Sequence, residues 1–396
     1  MSESSSAPWR EGITPPRLRT SPTRYRLCHS MRIGIDVHVL NGPAQGTATV
    51  WLNLVAHLPP THEYWLYSFD PTETARLFPD PRFVHRRIPI RQPHVRIQLL
   101  YPWLSRRDRC DVFHVNYYGP VVGVRGLVVT IHDVIYLDFP QYAPSTGRRA
   151  MAVFGRASAR AARRITTVSE YSKGRIMERF GVPADRISVV PNALGPRWTA
   201  PDPGAIAAAW SRLAPRVPHR FALSVGRLDP RKNFPLAARV TRELRRLNLV
   251  DGLVVVGRED FGAAAIRREW RADGTADLVV HLADLTVPEL QALYAHARCL
   301  LALSLAEGFG MPVLEAMAME TPVVASNRTA IPEVCGDAAL LVDPTDEDAV
   351  VSTARTVLED GAVRERLVDR GRQRVERYTG DRAAQQMLDV YRRAMS

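Results

Sequence analysis

Glu307 and Glu315 are the residues of this chain whose types and spacing most clearly suggest chemistry. Carboxylates accept hydrogen bonds from hydroxyl groups, and the free N–H groups at a helix start attract an anion such as a diphosphate. The apolar run 299–305 predicts a buried parallel strand, so Glu307 is expected at its carboxyl end, where ligands bind in open α/β sheets. The segment therefore predicts a site for a sugar attached to a nucleotide.

The helix after this strand is expected to begin at Pro312, whose missing N–H would have no intrahelical partner at the first position. Glu315 would then lie in the first helical turn. The helix start, and with it the predicted anion site, comprises Met311, Pro312 and Val313. The alternative is structural, with Glu315 as a partner of the helix dipole and Glu307 as a solvated loop acid.

A second candidate segment begins at Gly226 and follows the strand-like run 221–225. The chain has 53 basic residues, of which only Lys173 and Lys232 are lysines. A lysine that persists against such a bias suits a place where a compact point charge is needed. Arg227 and Lys232 are therefore predicted to neutralise a diphosphate leaving group. The alternative is a pair of solvated cations on a surface turn.

Together, segments 226–233 and 307–315 resemble the donor-binding motifs of glycosyltransferase family 4, retaining enzymes that use nucleotide sugars. The resemblance extends from residue 31 to about residue 378 and implies the GT-B fold, an α/β fold of two Rossmann-like, doubly wound parallel-sheet domains facing a central cleft. Further similar segments are 167–173, 189–192, 321–326, 331–334 and 336–344.

The resemblance also implies roles for individual residues. Arg227 and Lys232 match the pair that grips the donor diphosphate. Glu307 matches the acid beside the donor sugar, and Glu315 the acid that binds the nucleotide ribose. Backbone N–H groups close to donor oxygens are implied for Gly308, Phe309 and Gly310.

The predicted acceptor side comprises Gly46, Thr47, His132 and Asp133. His132 follows a strand-like apolar run and matches the histidine that faces the donor sugar in similar enzymes, so it is predicted to be catalytic together with Glu307, Arg227 and Lys232. A packed structural histidine is the alternative. Relatives often have a glycine-rich turn followed by an Arg-Tyr pair near residue 46. This chain lacks that pair, although a turn is still expected at Gly42 and Gly46.

The 396 residues, 46% of them hydrophobic, suffice for two domains with separate cores. Strand-like and helix-like runs alternate, which favours parallel doubly wound sheets. Residues 1–30 are predicted to be a disordered extension, rich in serine, proline and arginine. The acceptor-side domain is predicted over residues 31–205 and the donor-binding domain over 206–378. A C-terminal helix at about 379–396 is expected to return to the first domain.

The net charge of +12 raises the question of an anionic partner. A membrane surface is suggested by one stretch in which arginines alternate with apolar residues, and it would suit a lipid-linked acceptor. Its members are Arg86, Arg87, Ile88, Ile90, Arg91, Arg96, Leu99, Leu100, Tyr101, Trp103, Arg106, Arg107 and Arg109. The alternative is a solvated arginine-rich face. Nucleic-acid binding is not predicted, since the motifs of nucleic-acid-binding modules are missing.

The function predicted is transfer of a hexosyl group, expected to be mannosyl, from a nucleoside diphosphate sugar to a hydroxyl of a saccharide or lipid-linked saccharide, with retention at the anomeric carbon. Two alternatives are an inactive sugar-nucleotide-binding scaffold and a donor of the UDP-glucose or UDP-N-acetylglucosamine type. No metal or other cofactor is expected, because the cations can neutralise the leaving group. Four cysteines without paired spacing, and the lack of a long apolar run, predict a cytoplasmic protein, peripheral to the membrane if the basic stretch binds it.

Overall fold

A computed structural model describes residues 30–42, 46–142, 148–260 and 262–396. They form two compact units. The first comprises residues 30–42, 46–137, 148–193 and 380–396, and the second comprises 138–142, 194–260 and 262–379. The extension predicted over residues 1–30 lies outside the described residues, apart from Ser30.

The first unit is built on a sheet of seven described strands, in which every pair of neighbouring strands is parallel. The strands are β1 Arg32–Asp36, β2 Glu63–Ser68, β3 Phe83–Arg87, β4 Val112–Asn116, β5 Leu127–Thr130, β6 Arg164–Thr167 and β7 Ile187–Val189. Their order is β3-β2-β1-β4-β5-β6-β7. The winding direction reverses between β1 and β4, and in open sheets such a switch point leaves a crevice at the carboxyl ends of the strands.

Helices cover both faces of this sheet, because its central strands are apolar on both faces and each face must be shielded from water. The helices before the second unit are α1 Gly46–Ala56, α2 Pro71–Leu77, α3 Pro93–Val95, α4 Tyr101–Arg107, α5 Ile135–Asp138, α6 Arg148–Ala161 and α7 Glu170–Phe180. A π-helical segment, Arg96–Leu100, joins α3 to α4 into one helical run.

The second unit has a parallel sheet of six described strands in the order β10-β9-β8-β11-β12-β13. The strands are β8 Phe221–Val225, β9 Gly252–Val256, β10 Val279–Leu282, β11 Cys299–Ala302, β12 Val323–Ser326 and β13 Leu340–Val342. The helices are α8 Pro196–Thr199, α9 Pro203–Leu213, α10 Phe234–Arg246, α11 Ala263–Ala272, α12 Val287–His296, α13 Met311–Ala318, α14 Ile331–Cys335, α15 Glu347–Glu359 and α16 Gly361–Val375. The switch point of this sheet lies between β8 and β11.

The last helix, α17 Gly380–Met395, belongs to the first unit. Its Met387, Leu388 and Tyr391 are buried in the same core cluster as Ile33 of β1. The two doubly wound parallel sheets confirm the predicted fold class. The units divide after Ala193 and again after Thr379, however, rather than at 205/206, because α8 and α9 belong with the second unit.

The basic stretch predicted to face a membrane is only partly on the surface. Its buried members are Ile88, Arg96, Leu100 and Tyr101. The Arg86 guanidinium lies over the ring of Trp65, 4.4 Å from its centroid. Part of the prediction is therefore wrong. In the helical part of the stretch, the helical period turns Arg96 and Leu100 toward the core.

Two glycines bring the ends of β8 and β9 close together. Gly226 and Gly257 have φ angles of +151° and +152°, and the Gly226 N–H donates to the carbonyl of Val256 at 2.8 Å. A Cβ atom on Gly257 would lie 2.0 Å from the Gly226 oxygen, and one on Gly226 would lie 2.6 Å from Cε of Lys232. Only glycine permits this backbone, which sets the path of Lys232.

Replacing Gly257 by alanine is expected to destabilise the second unit by roughly 3 kcal/mol or more, because a positive φ and a backbone clash act together. Urea unfolding of the full chain measures this loss. Gly361→Ala is the matched control in the same unit, since its added Cβ meets no atom within 4 Å. Equal unfolding midpoints for the two variants would contradict the steric account.

Candidate functional site

Lys232 and Glu307 form a largely buried ion pair at the carboxyl ends of β8 and β11. Lys232 Nζ donates to Glu307 Oε1 at 2.5 Å, and the two side chains are 15% and 14% exposed. Ser304 Oγ donates to the same oxygen at 2.9 Å. Burial alone would raise the pKa of Glu307, but the charges of Lys232 and Arg231 and the two hydrogen bonds hold it below its usual value. Glu307 is therefore a charged acid with a fixed orientation.

The turn that carries Lys232 is held from both sides. Pro230–Lys232 form a 3-10 turn, in which the Arg231 N–H donates to the side chain of Asp229. That carboxylate also pairs with the Arg231 guanidinium at 2.8 Å. The N–H of Leu305 donates to the Arg231 carbonyl at 2.7 Å, which ties the turn to the segment after β11. Lys232 is thus positioned by the two strands that flank the switch point.

Glu315 lies in the second turn of α13, so its predicted place in the first turn is wrong. The helix begins at Met311, which makes Pro312 the second helical residue, and no acidic residue lies in the first turn. Tyr294 of α12 donates its hydroxyl to Glu315 Oε2 at 2.9 Å. Burial raises the pKa of Glu315 to about 7, against the opposing effects of the Tyr294 hydrogen bond and the Lys232 charge. The pKa values of the two acids near Lys232 are therefore shifted in opposite directions.

The segment between the two glutamates is tightly packed. Gly310 has a φ of +118°, and a Cβ there would lie 2.7 Å from Ile331 Cδ1. Phe309 is buried with its ring edge-on to Tyr378, 5.7 Å between centroids. A narrow cavity is lined by groups from this segment and from the ion pair, namely Lys232, Ser304, Glu307, Gly310, Pro312 and Val313. Gly308 joins Glu307 to this segment.

The helix start offers fewer N–H donors than the sequence suggested. Pro312 has none, and the Val313 N–H donates back to the Gly310 carbonyl at 3.0 Å. Among Met311, Pro312 and Val313, the Met311 N–H is the one that can still donate to an anion. A diphosphate would therefore depend more on side-chain cations than on the helix end.

Arg227 does not join the ion pair in this structure. Its Nη1 lies 2.9 Å from Asp260 Oδ2, and its side chain is 56% exposed. It is also missing from the residues that line the narrow cavity. A role for Arg227 at the diphosphate requires its guanidinium to leave Asp260, so that role stays a prediction.

In the first unit, His132 lies just beyond β5 and is buried. Its Nε2 lies 3.0 Å from Asn116 Oδ1, and its ring centroid lies 5.2 Å from that of Tyr117. Burial lowers the pKa of His132 to about 4, so the imidazole is neutral near pH 7. It can donate or accept a hydrogen bond, but it does not supply a positive charge.

The other predicted acceptor-side residues have structural contacts. Asp133 accepts from the N–H of Ile135, the first residue of the short helix α5, at 3.0 Å. Thr47 Oγ1 lies 2.9 Å from the Tyr117 hydroxyl. Gly46 is the first residue of α1. Residues 43–45, which would form the turn predicted between Gly42 and Gly46, lie outside the described residues.

Sequence reasoning missed several groups that shape the site, chiefly Tyr294, Ser304, Asp260 and Tyr117. Tyr294 and Asp260 reach their partners from distant positions in the chain, which no local pattern reveals. Ser304 precedes Glu307 by three residues at the end of a strand, and that spacing could have suggested a hydrogen bond.

No cluster of three or more histidine, cysteine, aspartate or glutamate side chains suited to a metal ion occurs among the described residues. No described helix has both the length and the apolar character needed to cross a bilayer.

The protein has two doubly wound parallel sheets, and a lysine lies near two acids at the switch point of the second sheet. These features define a two-domain α/β protein of the kind that binds ligands at its strand ends. The comparisons with known proteins give the family. Residues 44–197 match Glycosyltransferase Family 4, and residues 212–374 match Glycosyl transferases group 1. The chain belongs to this glycosyltransferase family, and it is a hexosyl-transferring enzyme.

Its relatives include two mannosyltransferases. O-antigen chain mannosyltransferase B of Escherichia coli is 31% identical over 307 residues, which cover 74% of this chain and 78% of the relative. The MMP alpha-(1->4)-mannosyltransferase of Mycolicibacterium hassiacum is 29% identical over 355 residues, covering 80% and 83%.

Solved structures confirm the GT-B fold. WaaG, a glycosyltransferase involved in lipopolysaccharide biosynthesis, superposes with a TM-score of 0.68 at 16% identity, covering 91% of this chain and 99% of WaaG. Anabaena HepE, solved in complex with UDP and glucose, gives the same TM-score, identity and coverage.

The stability of Glu315→Gln relative to wild type is expected to increase as the pH rises. The folded chain keeps the Glu315 proton to about pH 7, whereas the unfolded chain releases it near the ordinary value of 4.5. The free energy of unfolding of wild type therefore falls by up to about 3 kcal/mol as the pH rises through this window. Glutamine does not titrate, so Glu315→Gln does not show this fall.

Urea unfolding of both proteins at pH 5 and pH 8 measures the effect. Glu365→Gln, an exposed acid of the same unit, is the control and should show no such trend. A stability difference between Glu315→Gln and wild type that does not change with pH would contradict the raised pKa of Glu315.

Proposed function

We propose that this glycosyltransferase moves a mannosyl group from a nucleoside diphosphate donor to a hydroxyl of a saccharide carried on a lipid, with retention at the anomeric carbon. The observation that carries the proposal is Lys232 at the switch point of the second sheet, close to two acids whose pKa values are shifted in opposite directions. The names of relatives support mannose as the sugar.

Lys232 is the cation proposed to receive the diphosphate. Departure of the nucleotide concentrates negative charge on the leaving oxygen, and a preorganised cation in a poorly solvated site stabilises that charge. Without donor, Glu307 neutralises the buried ammonium group. On donor binding, the diphosphate would share or replace this contact, and Arg227 would turn from Asp260 to add a second charge. We propose that these two cations neutralise the leaving group without a metal ion.

The two glutamates are proposed to bind the sugars on either side of the diphosphate. Glu307 uses Oε1 for Lys232 and Ser304, which leaves Oε2 to accept from a hydroxyl of the donor hexose. Glu315 receives the Tyr294 hydroxyl on Oε2, which leaves Oε1 for the ribose. Loss of Glu315 should therefore weaken nucleotide binding.

The function is tested with a panel of GDP-mannose, UDP-glucose and UDP-N-acetylglucosamine, with the released nucleoside diphosphate as the readout. GDP release from GDP-mannose is expected to be the fastest. Failure of all three donors would contradict the proposal and favour the inactive scaffold, whereas preference for a UDP sugar would overturn the assignment of mannose.

Lys232→Ala should lower turnover about 10²-fold, the usual loss when one preorganised donor of hydrogen bonds is removed. Lys173→Ala is the matched control, because Lys173 is the only other lysine of the chain and lies 4.0 Å from Glu170 on helix α7. The control should keep activity within about twofold. Turnover of Lys232→Ala within twofold of wild type would refute the role of Lys232.

A lipid-linked acceptor is supported by an apolar surface on the first unit. It comprises the exposed residues Val95, Leu99, Trp103, Val121, Val122, Met151, Val153 and Phe154. The first three are four residues apart on one helical run, so they share one face. The Val121 N–H donates to Gln98 Oε1 at 3.1 Å, and the His94 and Phe154 rings lie 5.2 Å apart. These contacts join the three segments into one surface.

Arginines flank this apolar surface. The Arg107 guanidinium lies 4.5 Å from the Trp103 ring centroid, and Arg106 is packed beside Gly123, next to Val122. Exposed arginines also lie on α6 with Met151, at Arg149, Arg156 and Arg160. Apolar side chains ringed by cations suit an anionic bilayer, to which each cation contributes about 1 kcal/mol. We therefore propose peripheral attachment at the cytoplasmic face of the membrane.

Leu99→Ser combined with Trp103→Ser should reduce co-sedimentation with phosphatidylglycerol-containing vesicles at least tenfold, because burial of apolar side chains is lost. Donor hydrolysis without vesicles should not change. Leu247→Ser, at an exposed leucine of the second unit, is the control. Equal vesicle binding by wild type and the double variant, or no binding by wild type at low salt, would contradict the proposal.

A further inference from the structure

A large cavity lies at the edge of the first sheet where the strands begin. Its volume is about 930 Å³. Residues at the amino ends of β4 to β7 line it, together with the last turns of α6 and α17. Strands of four or five residues separate this edge from the carboxyl edge by roughly 15 Å. None of the residues predicted for donor or acceptor is among the described residues that line this cavity.

Arginines reach this edge from successive strands. Arg125 lies two residues before β5, Arg163 immediately before β6 and Arg186 immediately before β7. These three strands are neighbours in the parallel sheet, so their starts lie side by side. Arg164, the first residue of β6, and Arg160, in the last turn of α6, also line the cavity. The topology therefore gathers five arginines that are separated in the sequence.

Two of these arginines stabilise the wall of the cavity. Arg186 Nη2 donates to three carbonyls at the end of α6, including that of Arg160 at 2.9 Å. Arg164 Nη1 donates to the Asp185 carbonyl at 2.6 Å, and its Nε donates to the Arg393 carbonyl at 3.2 Å. These contacts tie β6 to the start of β7 and to the ends of α6 and α17.

The other three arginines leave positive charge for a ligand. Arg125, Arg160 and Arg163 are exposed, and their guanidinium groups have no hydrogen bond or ion pair with any described residue. Asp111 also lines the cavity, but one of its carboxylate oxygens accepts from the Arg32 N–H at 2.7 Å. The side chains of five arginines and two aspartates give the lining a net formal charge of +3.

The lining suits phosphate groups better than other anions of similar size. A guanidinium presents its N–H groups as a planar fork that fits the oxygens of a phosphate. Each phosphate group carries about 1.5 to 2 negative charges near pH 7, so two of them match the charge of the lining. No aromatic side chain occurs among the described residues of the lining, so the cavity offers no stacking surface for a nucleobase.

We propose that this cavity is a second anion site, in which Arg125, Arg160 and Arg163 bind two phosphate groups of one ligand. The inference goes beyond the proposed transferase function and does not rest on it, because the donor site lies on the other unit. A soluble diphosphate and a lipid headgroup share this chemistry.

Calorimetric titration of the full chain with inorganic pyrophosphate at low salt tests the site. Arg125→Gln combined with Arg163→Gln should lower the affinity at least tenfold, because two of the three available cations are lost. Arg268→Gln combined with Arg366→Gln is the matched control, since it removes the same charge from exposed positions of the second unit. Pyrophosphate affinity that is equal in the two double variants, or no binding by wild type, would overturn the proposal.

Vesicles separate the two sources of phosphate. Phosphatidic acid in phosphatidylcholine vesicles should weaken pyrophosphate binding by wild type if the ligand is a lipid headgroup, and should have no effect if it is a soluble diphosphate. Both results support the anion site. Donor hydrolysis by the Arg125→Gln, Arg163→Gln variant should stay within twofold of wild type. A larger loss would contradict the separation of this cavity from the transfer site, whereas wild type that turns over no donor refutes only the proposed function.

Discussion

The ion pair between Lys232 and Glu307 is the interaction on which the candidate donor site depends. Both side chains are largely removed from water, and a buried charge without a partner would be strongly destabilising. The pair therefore needs close contact, which the positive φ of Gly226 and of Gly257 makes possible by letting the lysine pass over the end of β8. A donor diphosphate can enter such a site only by taking over part of the role that Glu307 plays without ligand.

Two acids near one cation differ because their surroundings differ. Glu307 has Lys232 and Ser304 as donors and stays charged, whereas Glu315 has Tyr294 as its direct donor and a pKa of about 7. Burial works against the charge of both, but only Glu307 has a cation in contact to offset it. The site thus holds one fixed carboxylate beside the proposed diphosphate position and one carboxyl group whose pKa lies near 7.

The sequence predicted those parts of the fold and site that depend on local patterns. Apolar runs followed by polar residues located the strand ends, and so placed Lys232 and Glu307 correctly at the sheet edge. Groups that depend on long-range packing were not predictable, and Tyr294, which reaches Glu315 from another helix, is an example. Helix phase also decided the fate of the basic stretch, since it buried Arg96 and left Leu99 exposed.

The most direct test of the central claim is a calorimetric measurement of nucleoside diphosphate affinity, with GDP and UDP, for wild type, Lys232→Met and Glu307→Gln. If the diphosphate competes with Glu307 for Lys232, Lys232→Met should bind the nucleotide at least tenfold more weakly. Glu307→Gln should bind it as tightly as wild type or more tightly, because glutamine removes the competing charge while keeping a hydrogen bond to Ser304. Equal weakening in both variants, or no weakening in Lys232→Met, would contradict the account.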